Sequence, residues 1–135
     1  MMNIVQKVKS LDLPTRKYVV IGGASLAARG IREANDIDIL VLPEVFDDLK
    51  NKGFEEKFFE NGSSVLKKDV FEIGKKFTVT SYNPPAEVMI KNAEIIDGVA
   101  FSDLKQEIEF KKAMGRDKDL RDIELIEEFL EKNVQ

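Results

Sequence analysis

Apolar positions along the chain fall into short blocks with two different periods. Ile4, Val5, Val8 and Leu11 recur at helical spacing, and Pro14 closes the segment, which predicts a short amphipathic helix within Met1 to Leu13. Tyr18-Val-Val-Ile21 is a compact apolar run rich in β-branched residues and predicts a buried strand. Gly22 and Gly23 follow, then the small residues Ala24 to Ala28, which suit a helix with Gly30 near its end. Asp36 to Leu42 reads as a second strand. Its alternation puts Asp36 and Asp38 on one face and Ile37, Ile39 and Val41 on the other. Pro43 opens a helix over Glu44 to Lys52, with Val45, Phe46 and Leu49 as its apolar stripe and Gly53 as its cap.

From Phe54 the period shortens. Asn61-Gly62 marks a turn, Ser63 to Ile73 reads as a strand, and Phe77 to Tyr82 as another beyond Gly74-Lys75-Lys76. Pro84-Pro85 leads into a helix over Ala86 to Ala93, with Val88, Met89 and Ala93 inward. Asp97-Gly98 between apolar pairs then predicts a hairpin. Two helices complete the pattern. The first is capped by Ser102 and carries Leu104, Ile108 and Lys111 on one stripe. The second begins after Asp117, with Leu120, Ile123, Ile126, Phe129 and Leu130 as its buried face. Alternating helices and strands predict a single α/β (α+β) domain over residues 1–135, with helices packed on a mixed sheet.

Composition narrows the chemistry. The chain has no cysteine and no histidine, so disulfides, thiolate nucleophiles, imidazole bases and histidine-ligated zinc are excluded. Oxygen-ligated cations remain. The net charge of −4 gives no general nucleic-acid footprint, although a local basic patch is compatible with it. No apolar run reaches membrane-spanning length, and the N-terminus lacks a signal-peptide core, so a soluble cytoplasmic protein is expected.

Two features then carry candidate chemistry. Gly22-Gly23 at a strand-to-helix junction lets an anion approach the backbone closely; taken alone, such a pair is more often a tight turn that binds nothing. Asp36 and Asp38 sit where a strand enters the core. Two carboxylates about 6–7 Å apart along a strand can converge on Mg²⁺ or Mn²⁺, whose remaining shell is water and substrate phosphate. Lys111 has two readings on position: its stem covers the core with the head in water, or the cation points into a site.

The stretch Tyr18 to Leu42, with Gly22-Gly23 after the first strand, Asp36-Ile-Asp38 on the next, and Arg29-Gly30 and Arg32 between, resembles the nucleotidyltransferase superfamily. Within it, the sequence is similar to the small bacterial branch that includes AbiEii-type toxin-like proteins. The run Lys111-Lys-Ala-Met-Gly-Arg-Asp-Lys-Asp119 resembles a second signature of that branch. The resemblance implies a cleft holding Mg²⁺ and an NTP. Asp36 and Asp38 would be metal ligands and Lys111 a catalytic cation. Gly22, Gly23, Ser25, Arg32, Arg116, Lys118 and Asp119 would be nucleotide contacts. It further implies transfer of a nucleoside monophosphate to an acceptor (RNA, protein or small molecule), or, in a degenerate member, nucleotide or partner binding alone, as beside an antitoxin. A third family carboxylate aligns with Thr78, which cannot act as a carboxylate base or good ligand. Glu72, read as an exposed residue of an edge strand, is the alternative source.

Overall fold

In a computed structural model, residues 2–76 and 82–133 are described. The strands are β1 (Tyr18–Ile21), β2 (Ile37–Val41), β3 (Glu55–Phe58), β4 (Ser64–Lys68), β5 (Phe71–Gly74), β6 (Glu94–Ile96) and β7 (Val99–Phe101). The helices are α1 (Ile4–Lys9), α2 (Gly23–Ala27), α3 (Pro43–Lys50), α4 (Ala86–Lys91), α5 (Leu104–Met114) and α6 (Asp117–Lys132). The seven strands form one mixed sheet in the order β3-β4-β5-β2-β1-β7-β6. β1 and β2 are antiparallel, while β2 pairs with β5 and β1 with β7 in parallel.

Alternation along the central strands builds two cores. Val20, Ile37, Ile39, Val41 and Ile73 pack with Val8 of α1 and Val45, Phe46 and Leu49 of α3 on one face. On the other, Val19, Ile21 and Leu40 pack with Met89 of α4 and, at the margin, Phe110 of α5. Leu26, Leu104 and Ile126 join α2, α5 and α6 in a third cluster. Asp38 lies two residues before Leu40 and so points to the α4/α5 side. Among the described residues, no helix is long and apolar enough to cross a membrane.

Several predicted elements take a different form. The single strand expected over Ser63 to Ile73 is a hairpin, β4–β5, turning at Asp69-Val70 with Asp69 at φ 54°. Left-handed backbone is tolerated by aspartate, so this turn carries no glycine to announce it. Asp103, not Ser102, caps α5, accepting the N–H of Gln106 at 2.7 Å, and Asn51 rather than Gly53 caps α3. On α4 Val88 is exposed and Met89 is buried. On α6 the inward face is Asp119, Asp122, Ile123 and Ile126, while Leu120 and Leu130 are exposed. Two carboxylates face inward on this helix: Asp122 pairs with Arg32 and Lys111 on other segments, and Asp119 with Arg116 at the helix start. Most of the strand expected at Phe77 to Tyr82, including Thr78, lies outside the described residues.

Candidate active site

The glycine turn is held from below. Gly22 has φ 70°, which favours glycine, and a Cβ there would sit 3.5 Å from Asp38 Oδ2. The hydroxyl of Ser25 donates to the Gly22 carbonyl at 2.7 Å, and the Ser25 N–H reaches the same oxygen at 3.0 Å. Ser25 is fully buried and does not line the cleft; its hydroxyl closes the turn. A Cβ on Gly23 would lie 3.1 Å from both Nη1 and Nη2 of Arg32, so the guanidinium rests directly against this glycine.

Beside the turn, three strands bring polar groups into one row. Register places Ile21 of β1 opposite Asp38 of β2, Asp38 opposite Glu72 of β5, and Glu72 opposite Lys67 of β4. Glu72 is therefore not on an edge strand: β5 lies between β4 and β2, and the glutamate is half-buried next to Asp38. The two carboxyls are close enough to share a proton in a hydrogen bond. Burial pushes Asp38 up to about 7, and the neighbouring charges of Glu72, Asp36 and Glu107 push the same way. Asp36 stands exposed, one residue before β2.

Oxygen donors under mutual repulsion are the environment in which a hard cation is favourable. Among the described residues, no three acidic side chains converge into a closed ligand cage. Mg²⁺ or Mn²⁺ takes one or two carboxylates and leaves the rest of its shell to water and phosphate oxygens. Asp38 lines the cleft with Glu72 beside it on β5, and these two could hold the ion; Asp36, exposed one residue before β2, does not line the cleft.

Across the cleft, α5 and α6 supply paired charges. Lys111 is buried, and its Nζ lies 3.1 Å from Asp122 Oδ2. Arg32 makes a two-pronged contact with the same carboxylate, Nε to Oδ1 at 2.7 Å and Nη2 to Oδ2 at 2.9 Å. Although burial opposes it, the bonds from Arg32 and Lys111 hold the Asp122 carboxyl below its ordinary range. Arg116 is bound to Asp119 at 2.7 and 3.2 Å, and Asp119 also accepts the Arg116 backbone N–H at 3.1 Å, fastening the start of α6. Lys118 and Arg121 line the cleft without an ion-pair partner among the described residues.

The resulting cleft has a volume of about 660 Å³. It brings together Gly22, Gly23, Arg32, Asp38, Lys111, Arg116, Lys118 and Asp119, with Ile21, Phe110, Met114 and Leu125 as apolar wall. Two further groups escape sequence reasoning. Arg121 is a rim cation on α6. Glu107 is buried one helical turn before Lys111, and its acidic side chain at i+3 from Leu104 on a buried stripe is the signal that could have revealed it.

Comparison with known proteins bears on the fold. No protein-family description matches the sequence. No curated protein matches it either. Among solved structures, the chain is similar to ANT(2″)-Ia, an aminoglycoside nucleotidyltransferase, in its crystal structure in complex with adenylyl-2″-tobramycin. The match has a TM-score of 0.53 at 14% identity and covers 95% of this chain and 86% of that one. The mixed sheet and its helices thus have a nucleotidyltransferase-like fold.

Proposed function

We propose that this protein is a metal-dependent nucleotidyltransferase that moves a nucleoside monophosphate from an NTP to an acceptor group. The observation that carries the reading is the row Ile21–Asp38–Glu72. It sets Asp38 beside a glycine turn in a cleft rimmed with cations, with the Glu72 carboxyl next to it on the neighbouring strand. Each part answers a requirement of phosphoryl chemistry. Gly22 and Gly23 leave room for phosphate oxygens to approach the backbone. Lys118 and Arg121 are free to meet negative charge, while Lys111 and Arg32 are preset by Asp122. Asp38 and Glu72 would hold the cation, with Asp36, one residue before the strand, as a further oxygen donor near Asp38 in sequence. When bound, a divalent ion offsets the charge developing on the leaving pyrophosphate and helps activate the acceptor.

The narrower likeness to AbiEii-type proteins rests on the sequence signatures at Gly22-Gly23, Asp36-x-Asp38 and Lys111 to Asp119. A binding module without catalysis drew its support from a carboxylate missing at Thr78. Glu72 beside Asp38 weakens that support, because an acidic group is present on the neighbouring strand. The acceptor can be found by incubating the protein with α-labelled NTPs, Mg²⁺ or Mn²⁺ and cell extract. Label in an RNA, protein or small-molecule fraction, absent with Asp38→Asn, supports transfer. Absence of metal-dependent NTP binding by calorimetry would count against it.

A further inference from the structure

We infer that Glu107 is a positioning residue that fastens the Gly22–Gly23 turn to the helix carrying Lys111. This rests on the reading of the cleft as a nucleotide site. Glu107 is 1% exposed, one of three buried acidic side chains among the described residues, with Asp119 and Asp122. A buried carboxylate persists only where donors meet it. Here its Oε2 accepts the backbone N–H of Gly22 at 3.1 Å and the hydroxyl of Ser102 at 2.5 Å.

These two bonds join segments far apart in sequence. Gly22 is the entry to α2, Ser102 follows β7, and Glu107 lies in the first turn of α5. Arg29 strengthens the same junction from the other side, donating to the carbonyls of Ser25 at 2.8 Å and Ser102 at 2.9 Å. Burial pushes the Glu107 carboxyl up, opposed in part by the Ser102 hydroxyl, by Lys111 four residues on along the same helix face, and by the Gly22 N–H. The geometry makes one rigid body of the turn and the cation. Orienting the Gly22 N–H downward also fixes the peptide plane entering the turn, and with it the glycine backbone that faces the cleft. Glu107 lies at the floor of the cleft with its Oε2 committed to Gly22 and Ser102, so it acts through the turn that it holds.

The test pairs a readout that needs no nucleotide with one that does. Amide hydrogen exchange by NMR is measured on wild type, Glu107→Ala, Glu107→Gln and Ser102→Ala, and magnesium–ATP affinity is measured by calorimetry on the same proteins. Losing the buried carboxyl acceptor should speed Gly22 exchange by about tenfold in Glu107→Ala, with Val20 and Leu40 unchanged. Glu107→Gln keeps an acceptor oxygen and should hold Gly22 near wild type. Magnesium–ATP affinity should fall about tenfold in Glu107→Ala and by less than about threefold in Glu107→Gln. If Glu107→Ala does not fold, Ser102→Ala decides, with a few-fold faster Gly22 exchange expected as the carboxylate loses one of its two anchors.

Uniform acceleration of all sheet amides, or unchanged Gly22 exchange in every folded variant, would overturn the inference. So would equal affinity losses in the alanine and glutamine variants. A wild type that binds no magnesium–ATP would defeat the nucleotide reading instead, and the exchange data would still report on the anchoring.

Discussion

Asp38 and Glu72 face each other across the parallel β2–β5 ladder, near enough to share a proton. Strand pairing alone imposes this neighbourhood: Ile37 and Ile39 must bury on the α1/α3 side, as must Phe71 and Ile73 opposite them, so both acidic residues turn to the cleft side. Crowding of the carboxylates is thus a consequence of the core, and it persists whether or not a cation is at hand.

That crowding has a pH signature in metal-free protein. The Asp38 carboxyl titrates at about 7 in the folded chain, above the unfolded value of about 4. The folded state therefore binds the proton more tightly, and stability is greatest below the unfolded value and lost as pH rises through about 7. In EDTA, the melting temperature should fall between about pH 5 and pH 8 and then level off. Asp38→Asn should flatten the slope, and Mg²⁺ at pH 8 should restore part of the wild-type loss. Carboxyls held low, such as Asp122, act in the opposite sense and below this window. A melting temperature that rises from pH 5 to pH 8 in EDTA would show that Asp38 is not strained by its neighbours.

Asp122 is the shared counter-charge for two cations, which sets an order among variants. Asp122→Ala leaves buried Lys111 and the adjoining Arg32 without their carboxylate, and should cost about 3 kcal/mol by urea unfolding. Lys111→Met removes one cation but leaves Asp122 bound by Arg32, so it should cost less, about 1 kcal/mol. The reverse order of the two losses would mean that Lys111, not Asp122, is the centre of the network.

Contact between Gly23 and Arg32 makes a paired prediction. Gly23→Ala should fold, since only a guanidinium tip lies within 3.1 Å of the new methyl and must shift. It should weaken magnesium–NTP binding about tenfold by displacing Arg32 and narrowing the approach to the backbone. Gly23→Val should weaken binding further. Calorimetry on Gly23→Ala, Arg32→Ala and the double variant separates the causes. If the effects of Gly23→Ala and Arg32→Ala add without coupling, the methyl does not act through Arg32.

Local signals made the glycine turn and the place of Asp38 in the cleft legible, but not that Asp36 stands exposed before β2 and off the cleft. The strand-glycine-helix unit and the Asp36-x-Asp38 pair lie within one short stretch, where periodicity and residue type report structure directly. Glu72 was harder to place, because its position depends on a hairpin at Asp69-Val70 that lacks a glycine signal and on a parallel pairing that no local pattern encodes. The inward face of α6 misled for a related reason. Hydrophobic spacing assigns Leu120 and Leu130 to the core, but Arg32 and Lys111, on other segments, draw Asp122 inward. Glu107 likewise depends on Gly22 and Ser102, partners that only the assembled fold supplies.

The most direct test of the account is transfer of α-labelled nucleotide by wild type, Asp38→Asn and Glu72→Gln, with Mg²⁺ or Mn²⁺ and the acceptor fraction from cell extract. All three proteins are first shown to be folded by circular dichroism. The account predicts metal-dependent labelling by wild type and a loss of about a hundredfold or more in each variant, as expected when a charge-stabilising group leaves a catalytic site. Labelling by Glu72→Gln at the wild-type rate, alongside the loss in Asp38→Asn, would contradict the role assigned to the β2–β5 pair.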